Sequence, residues 1–147
     1  MSFEGLWSAT VESVAEGAVR LRAGDATIEV AALAGDLFRV GVFPRGKPPR
    51  YASDAVAKDD WPDAGAEWTG SELRTPEATA HVQLDPLRIS FSDGSGRRFA
   101  ADDPGVAIDT GAGAFGVEDR IGPAITLTKA REPGERYFGC GERTAGL

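Results

Sequence analysis

The sequence predicts an antiparallel all-β fold, a two-sheet β-sandwich with little or no helix, and three observations predict it. Apolar and polar residues alternate with a period of two along most of the chain. Turns rich in glycine and aspartate separate the alternating runs. No long window carries a capped 3.6-residue period.

The runs follow one another in order. Val19 and Leu21 alternate with Arg20 and Arg22, and Ile28 and Val30 with Thr27 and Glu29. Phe38, Val40 and Val42 point one way, Arg39 and Gly41 the other. Ala78, Ala80, Val82 and Leu84 oppose Thr79, His81, Gln83 and Asp85. Leu87, Ile89 and Phe91 oppose Arg88 and Ser90, and Ile125 and Leu127 oppose Thr126 and Thr128. Each set buries one face and wets the other, as antiparallel strands do.

Ala23-Gly24-Asp25 and Asp93-Gly94-Ser95-Gly96 join neighbouring runs, with residue types that accept the positive φ of tight hairpins. Asp85-Pro86 is expected to break or bend the pairing, because proline donates nothing to a ladder. The best helical segment, residues 52–60, is short and runs into Pro62. Residues 45–66 read as one long loop, and a loop of that length inside a domain is functional or disordered. Residues 102–122, rich in glycine and alanine, read as a second irregular stretch. Roughly eight to ten short strands without a repeat fit a sandwich. The 147 residues suffice for a single domain and are too few for two.

Charge excludes some functions. A net charge of −7 and a pI near 4.7 repel a phosphate backbone, and the 16 basic residues form no stripe, so no nucleic-acid partner is expected. Glu4 stands where a secretory leader would carry a cation, and no apolar run follows it. Nothing approaches the ~18 apolar residues that span a bilayer, so no membrane partner is expected. Cys140 is the single cysteine, so no internal disulfide forms. Together these features lead us to expect a cytoplasmic protein.

The chemistry-bearing residues are sparse. Asp59-Asp60 and Asp102-Asp103 are adjacent pairs, whose members point to opposite faces of an extended chain, so they read as solvated loop acids. His81, the one histidine, shares a wet face with Thr79 and Gln83 and reads as an exposed surface residue with no nucleophile signature around it. One cysteine and one histidine cannot build a zinc site, and no acidic run has calcium-loop spacing, so neither metal nor cofactor is expected. Gly111-Ala112-Gly113 and Gly139-Cys140-Gly141 precede no helix and lack the lysine of a phosphate loop. Tyr51, Trp61 and Trp68 in or beside the long loop offer a platform on which a pyranose could stack. The competing reading makes the tryptophans plugs at the open end of the sandwich.

The last residues are the most informative. Tyr137-Phe138-Gly139-Cys140-Gly141-Glu142-Arg143 resembles the "aromatic–aromatic–Gly–x–Gly–Glu–Arg" signature near the end of the N-terminal domain of family 31 glycoside hydrolases, the α-glucosidase and α-xylosidase family. Three more stretches fall in that family's order. They are Asp36-Leu37-Phe38-Arg39-Val40, then Asp85-Pro86-Leu87-Arg88-Ile89-Ser90-Phe91 with its Asp93-Gly94 turn, and Ile125-Thr126-Leu127-Thr128-Lys129.

The resemblance implies a galactose-mutarotase-like sandwich over residues 1–147, ending before a catalytic (β/α)8 barrel of the same polypeptide. It implies a parent enzyme that is a retaining α-glycosidase acting on an α-linked oligosaccharide, with both catalytic aspartates on that barrel. A barrel takes roughly 250 residues, so the chain itself is expected to carry no catalytic residue. Its expected role is to pack on the barrel and help shape the substrate mouth. The alternatives are a stand-alone carbohydrate-binding module and a plain interaction sandwich.

The motif residues Tyr137, Phe138, Gly139, Gly141, Glu142 and Arg143 are read as structural. In an extended segment Phe138, Cys140 and Glu142 share a face. Glu142 therefore needs a partner at the rim of an apolar surface, either turn N–H groups or an arginine such as Arg39 or Arg88.

Overall fold

The computed structural model describes residues 3–44, 60–109, 125–131 and 133–134, and among them every regular element is a strand. β1 (Phe3–Gly5), β2 (Thr10–Ala15), β3 (Ala18–Ala23), β4 (Ala26–Ala34) and β5 (Leu37–Phe43) come first. β6 (Glu67–Trp68), β7 (Glu72–Arg74), β8 (Ala78–Leu84), β9 (Leu87–Asp93) and β10 (Arg98–Phe99) follow. β11 (Asp102–Asp109) and β12 (Ile125–Lys129) complete the set. All ladders are antiparallel, in a four-stranded sheet β2-β3-β4-β5, a five-stranded sheet β10-β9-β8-β7-β6 and a three-stranded sheet β1-β11-β12.

The alternation read from the sequence orients the two larger sheets. Val19, Leu21, Ile28 and Val30 from one sheet are fully buried against Leu73, Ala80, Val82, Leu87 and Ile89 from the other. Burying a side chain of this size stabilises by ~1.5–3 kcal/mol, so this layer dominates the fold's stability. Phe38 and Phe91 bridge the sheets with ring centroids 5.6 Å apart, and Phe99 stacks on Phe91 at 5.8 Å.

The hairpins follow their turn residues. Gly24 with Asp25 makes the two-residue β3–β4 turn, and Gly24 sits at φ 58°. In the β9–β10 turn the Asp93 carboxylate accepts from the Ser95 hydroxyl at 2.6 Å and from the Ser95 and Arg97 amides at 3.0 Å. The Thr75 hydroxyl accepts from the Ala78 amide at 3.0 Å and donates to the Gly35 carbonyl, tying the β7–β8 turn to the β4–β5 turn of the opposite sheet.

Three expectations are corrected. Asp85-Pro86 does not interrupt the ladder: it is the two-residue turn of the β8–β9 hairpin, where Leu84 faces Leu87 and no N–H is required of proline. Residues 102–109 are not irregular but form β11. The register slips between Asp102 and Val106, so Pro104 and Gly105 fall in the irregularity rather than in the ladder with β12. Thr27, expected on a wet face, is 3% exposed. The helical segment expected over residues 52–60 lies almost wholly outside the described residues.

Candidate functional site

Cross-strand register decides which side chains meet on the outer face of the five-stranded sheet. Glu72 faces His81, His81 faces Ser90, and Ser92 faces both Thr79 and Arg98. These polar residues alternate with the core residues, and Glu72, His81 and Ser90 line an open cavity of about 490 Å³ with Arg88, Arg98 and Asp102.

His81 is not the free surface histidine that the sequence suggested. Its ring is half-buried, with Nδ1 2.9 Å from Glu72 Oε1 and Nε2 2.8 Å from Ser92 Oγ. The ring thus bridges the Glu72 carboxylate and the Ser92 hydroxyl, one ring nitrogen to each. Glu72 also accepts from Arg74 Nε at 2.7 Å. Arg74 first, and His81 after it, hold the Glu72 carboxyl below the ordinary carboxylate range. Acid, imidazole and hydroxyl stand in the connectivity of a nucleophile relay, but Ser92 is only 7% exposed. Its hydroxyl satisfies the ring across the sheet instead of facing a substrate. The sequence hides this chain because Glu72 and Ser92 reach His81 only through strand register.

Asp102 is the second departure. It is no solvated loop acid: its carboxylate is 1% exposed, accepts from the Ile89 amide at 2.8 Å and pairs with Lys129 Nζ at 2.5 Å. Lys129 also lies over the Phe91 ring, 5.8 Å from its centroid. Asp103 and Asp60 are exposed.

The outer face of the four-stranded sheet carries a different set. Glu29 accepts from Arg20 Nε at 2.8 Å and from Arg39 Nη2 at 3.2 Å. Arg39 therefore has Glu29 as a partner, and Arg88 donates to the Leu87 carbonyl at 2.8 Å. An open cavity of about 430 Å³ lies on this face, with Gly17, Ala31, Ala32, Glu29, Arg39 and Trp61 among its lining. Trp61 and Trp68 thus separate: Trp61 is half-buried against the cavity, while Trp68 packs on the core and pairs with Leu73 in the β6–β7 ladder. Tyr51 and the motif residues Tyr137, Phe138, Gly139, Gly141, Glu142 and Arg143 lie outside the described residues. Among the described residues no group of three histidine, cysteine or acidic side chains could hold a metal ion.

Two facing antiparallel sheets around one apolar layer define an all-β sandwich domain. Residues 27–147 match the model of the glycosyl hydrolase 31 N-terminal galactose mutarotase-like domain. The chain belongs to that family, as the motifs at residues 36–40, 85–91 and 137–143 led us to expect. Among solved structures it is similar to a family 31 dextranase of Flavobacterium johnsoniae, solved as a mutant in complex with isomaltotriose. The TM-score is 0.57 at 20% identity, over 71% of this chain and 15% of that one. No curated protein matches the chain. The chain thus corresponds to a small part of the length of the dextranase it resembles.

Proposed function

We propose that the chain is the non-catalytic N-terminal domain of a retaining α-glycosidase of the α-glucosidase type, packed on a catalytic barrel of the same polypeptide and helping to shape its substrate mouth. The observation that carries this reading is the family match over residues 27–147, together with a similar domain that makes up 15% of the dextranase. The charge arrangement supports it: Glu29, Glu72, Asp93 and Asp102 are each held by cations or amides, an arrangement that stabilises a scaffold. Exposed apolar side chains support it too. Trp7 is 60% exposed, and Ile125 and Leu127 on β12 are 45% and 52% exposed, surface that a covering partner would remove from water.

The isomaltotriose bound to the dextranase makes an α-linked glucan the substrate class proposed for the whole enzyme. A cytoplasmic location is part of the same proposal. The test measures turnover of p-nitrophenyl α-glucoside and isomaltotriose by the 147-residue chain and by the polypeptide that continues into the barrel. Turnover by the longer protein alone is expected. Turnover by the short chain, lost on substituting an aspartate within it, overturns the reading.

A further inference from the structure

We propose that the cavity on the outer face of the five-stranded sheet binds a phosphate group, free or carried by a small sugar, between Arg88 and Arg98. Strand register places both cations. Arg88, Ser90 and Ser92 take alternate positions on β9, and Arg98 faces Ser92 from β10, so all four side chains leave the sheet on one side. Arg88 and Ser92 are four residues apart, ~13 Å along the strand at ~3.4 Å per residue. Two arginine side chains leaning toward Ser90 from either end can therefore share one ligand, and both line the same cavity with Ser90 and His81.

The charges in the lining decide what the cavity takes. Its two acids are already neutralised: Glu72 accepts from Arg74 Nε at 2.7 Å, and Asp102 pairs with Lys129 Nζ at 2.5 Å and accepts from the Ile89 amide. Its two arginines are not. Arg88 donates to the carbonyl of its own neighbour Leu87, and Arg98 is exposed and pairs with no acid among the described residues. The Ser90 side chain has no hydrogen-bond partner among them either, and its hydroxyl adds a donor at the position between the two cations. Two cations without a counter-charge match one dianion, and a guanidinium fork meets two phosphate oxygens at once. A long polyanion stays excluded by the net charge of −7, while a single phosphate group meets only the local field. The volume of about 490 Å³ leaves room for a monosaccharide attached to the phosphate.

The proposal does not rest on the scaffold role described above, and its failure would leave that role standing. Calorimetric titration of the chain with inorganic phosphate, glucose 6-phosphate and glucose tests it, alongside NMR of the arginine Nε–H resonances. Saturable binding of at least one phosphate compound and none of glucose is expected, with shifts at Arg88 and Arg98. Tighter binding of glucose 6-phosphate assigns the site to a phosphorylated sugar, and equal or tighter binding of inorganic phosphate assigns it to the free ion. Arg98→Gln and Arg88→Gln should each weaken binding about tenfold or more, the loss of one charge-assisted contact. Arg97→Gln, next in the chain but outside the cavity lining and paired with Asp93, should leave the affinity unchanged. Because Arg98 holds no other side chain in place, its variant decides the question even if Arg88→Gln fails to fold. Absence of saturable binding by the unmodified chain overturns the proposal. Undiminished affinity in Arg98→Gln, or an equal loss in Arg97→Gln, overturns it as well.

Discussion

The Asp102 carboxylate closes the edge of β9 by accepting the Ile89 amide at 2.8 Å, and in doing so it joins the three-stranded sheet to the five-stranded one. Lys129 balances the charge from the neighbouring strand, with Asp102 facing Lys129 in the β11–β12 register. An acid in the slipped part of a ladder thus replaces the missing backbone acceptor.

Removing that acid should be costly. Asp102→Ala leaves the Ile89 amide without its acceptor and Lys129, 22% exposed, without its partner. A loss of about 2–4 kcal/mol is expected in urea unfolding, from one orphaned amide and one stranded cation. Asp102→Asn keeps an acceptor for Ile89 and should cost about half as much. Equal losses for the two variants would show that charge alone matters.

A large-to-small change between the sheets should cost more than any single surface pair. Leu21 and Ile89 are 0% and 1% exposed, one from each of the two larger sheets, and both belong to the apolar layer between them. Leu21→Ala and Ile89→Ala should each cost about 2–5 kcal/mol in chemical denaturation. Leu37→Ala, at a position 40% exposed, should cost under about 1 kcal/mol.

Acid stability should depend on the β9–β10 turn. The Ser95 hydroxyl first, then the Arg97 amide, pull the Asp93 carboxyl from 3.8 down to about 2. A folded-state value below the unfolded one means stability that is present above pH 3.8 and lost as the pH falls through about 2. Asp93→Asn keeps the acceptor oxygen and loses the titration. Its melting temperature should therefore fall less steeply than that of the unmodified chain over this window, and parallel curves would refute the assignment.

Legibility in the sequence follows from which forces act locally. β3 and β8 were visible because each alternates and buries one face, β4 and β9 because the alternation holds over Ile28–Val30 and Leu87–Phe91, and Gly24 and Gly96 mark turns at φ 58° and 84°. β2 was missed because its residues are exposed throughout and its register slips between Val11 and Ser13, which spoils the period. β7 has three residues, too few to show any period, and β11 was hidden by Pro104 and Gly105. The site was less legible still. Trp61 stood out by its type, but the Glu29–Arg39 pair comes together only when β4 pairs with β5. His81 was visible, and its partners were not.

The chain Glu72–His81–Ser92 separates a structural from a chemical use of the same three groups. Ser92 is 7% exposed, and its hydroxyl is held by His81 Nε2 at 2.8 Å. If the chain is structural, His81→Ala costs about 1–3 kcal/mol, because a buried hydroxyl and Glu72 each lose a partner. Ser92→Ala costs less, since it removes the buried polar group together with its bond. The two losses should then fail to add, and a double-mutant cycle should return about 0.5–1.5 kcal/mol of coupling. If the chain were a working relay, Ser92→Ala would abolish an acyl transfer while leaving stability almost unchanged. Hydrolysis of p-nitrophenyl acetate by the unmodified chain should therefore match that of Ser92→Ala. A burst of p-nitrophenol present only in the unmodified chain would assign Ser92 as a nucleophile and reverse the structural reading.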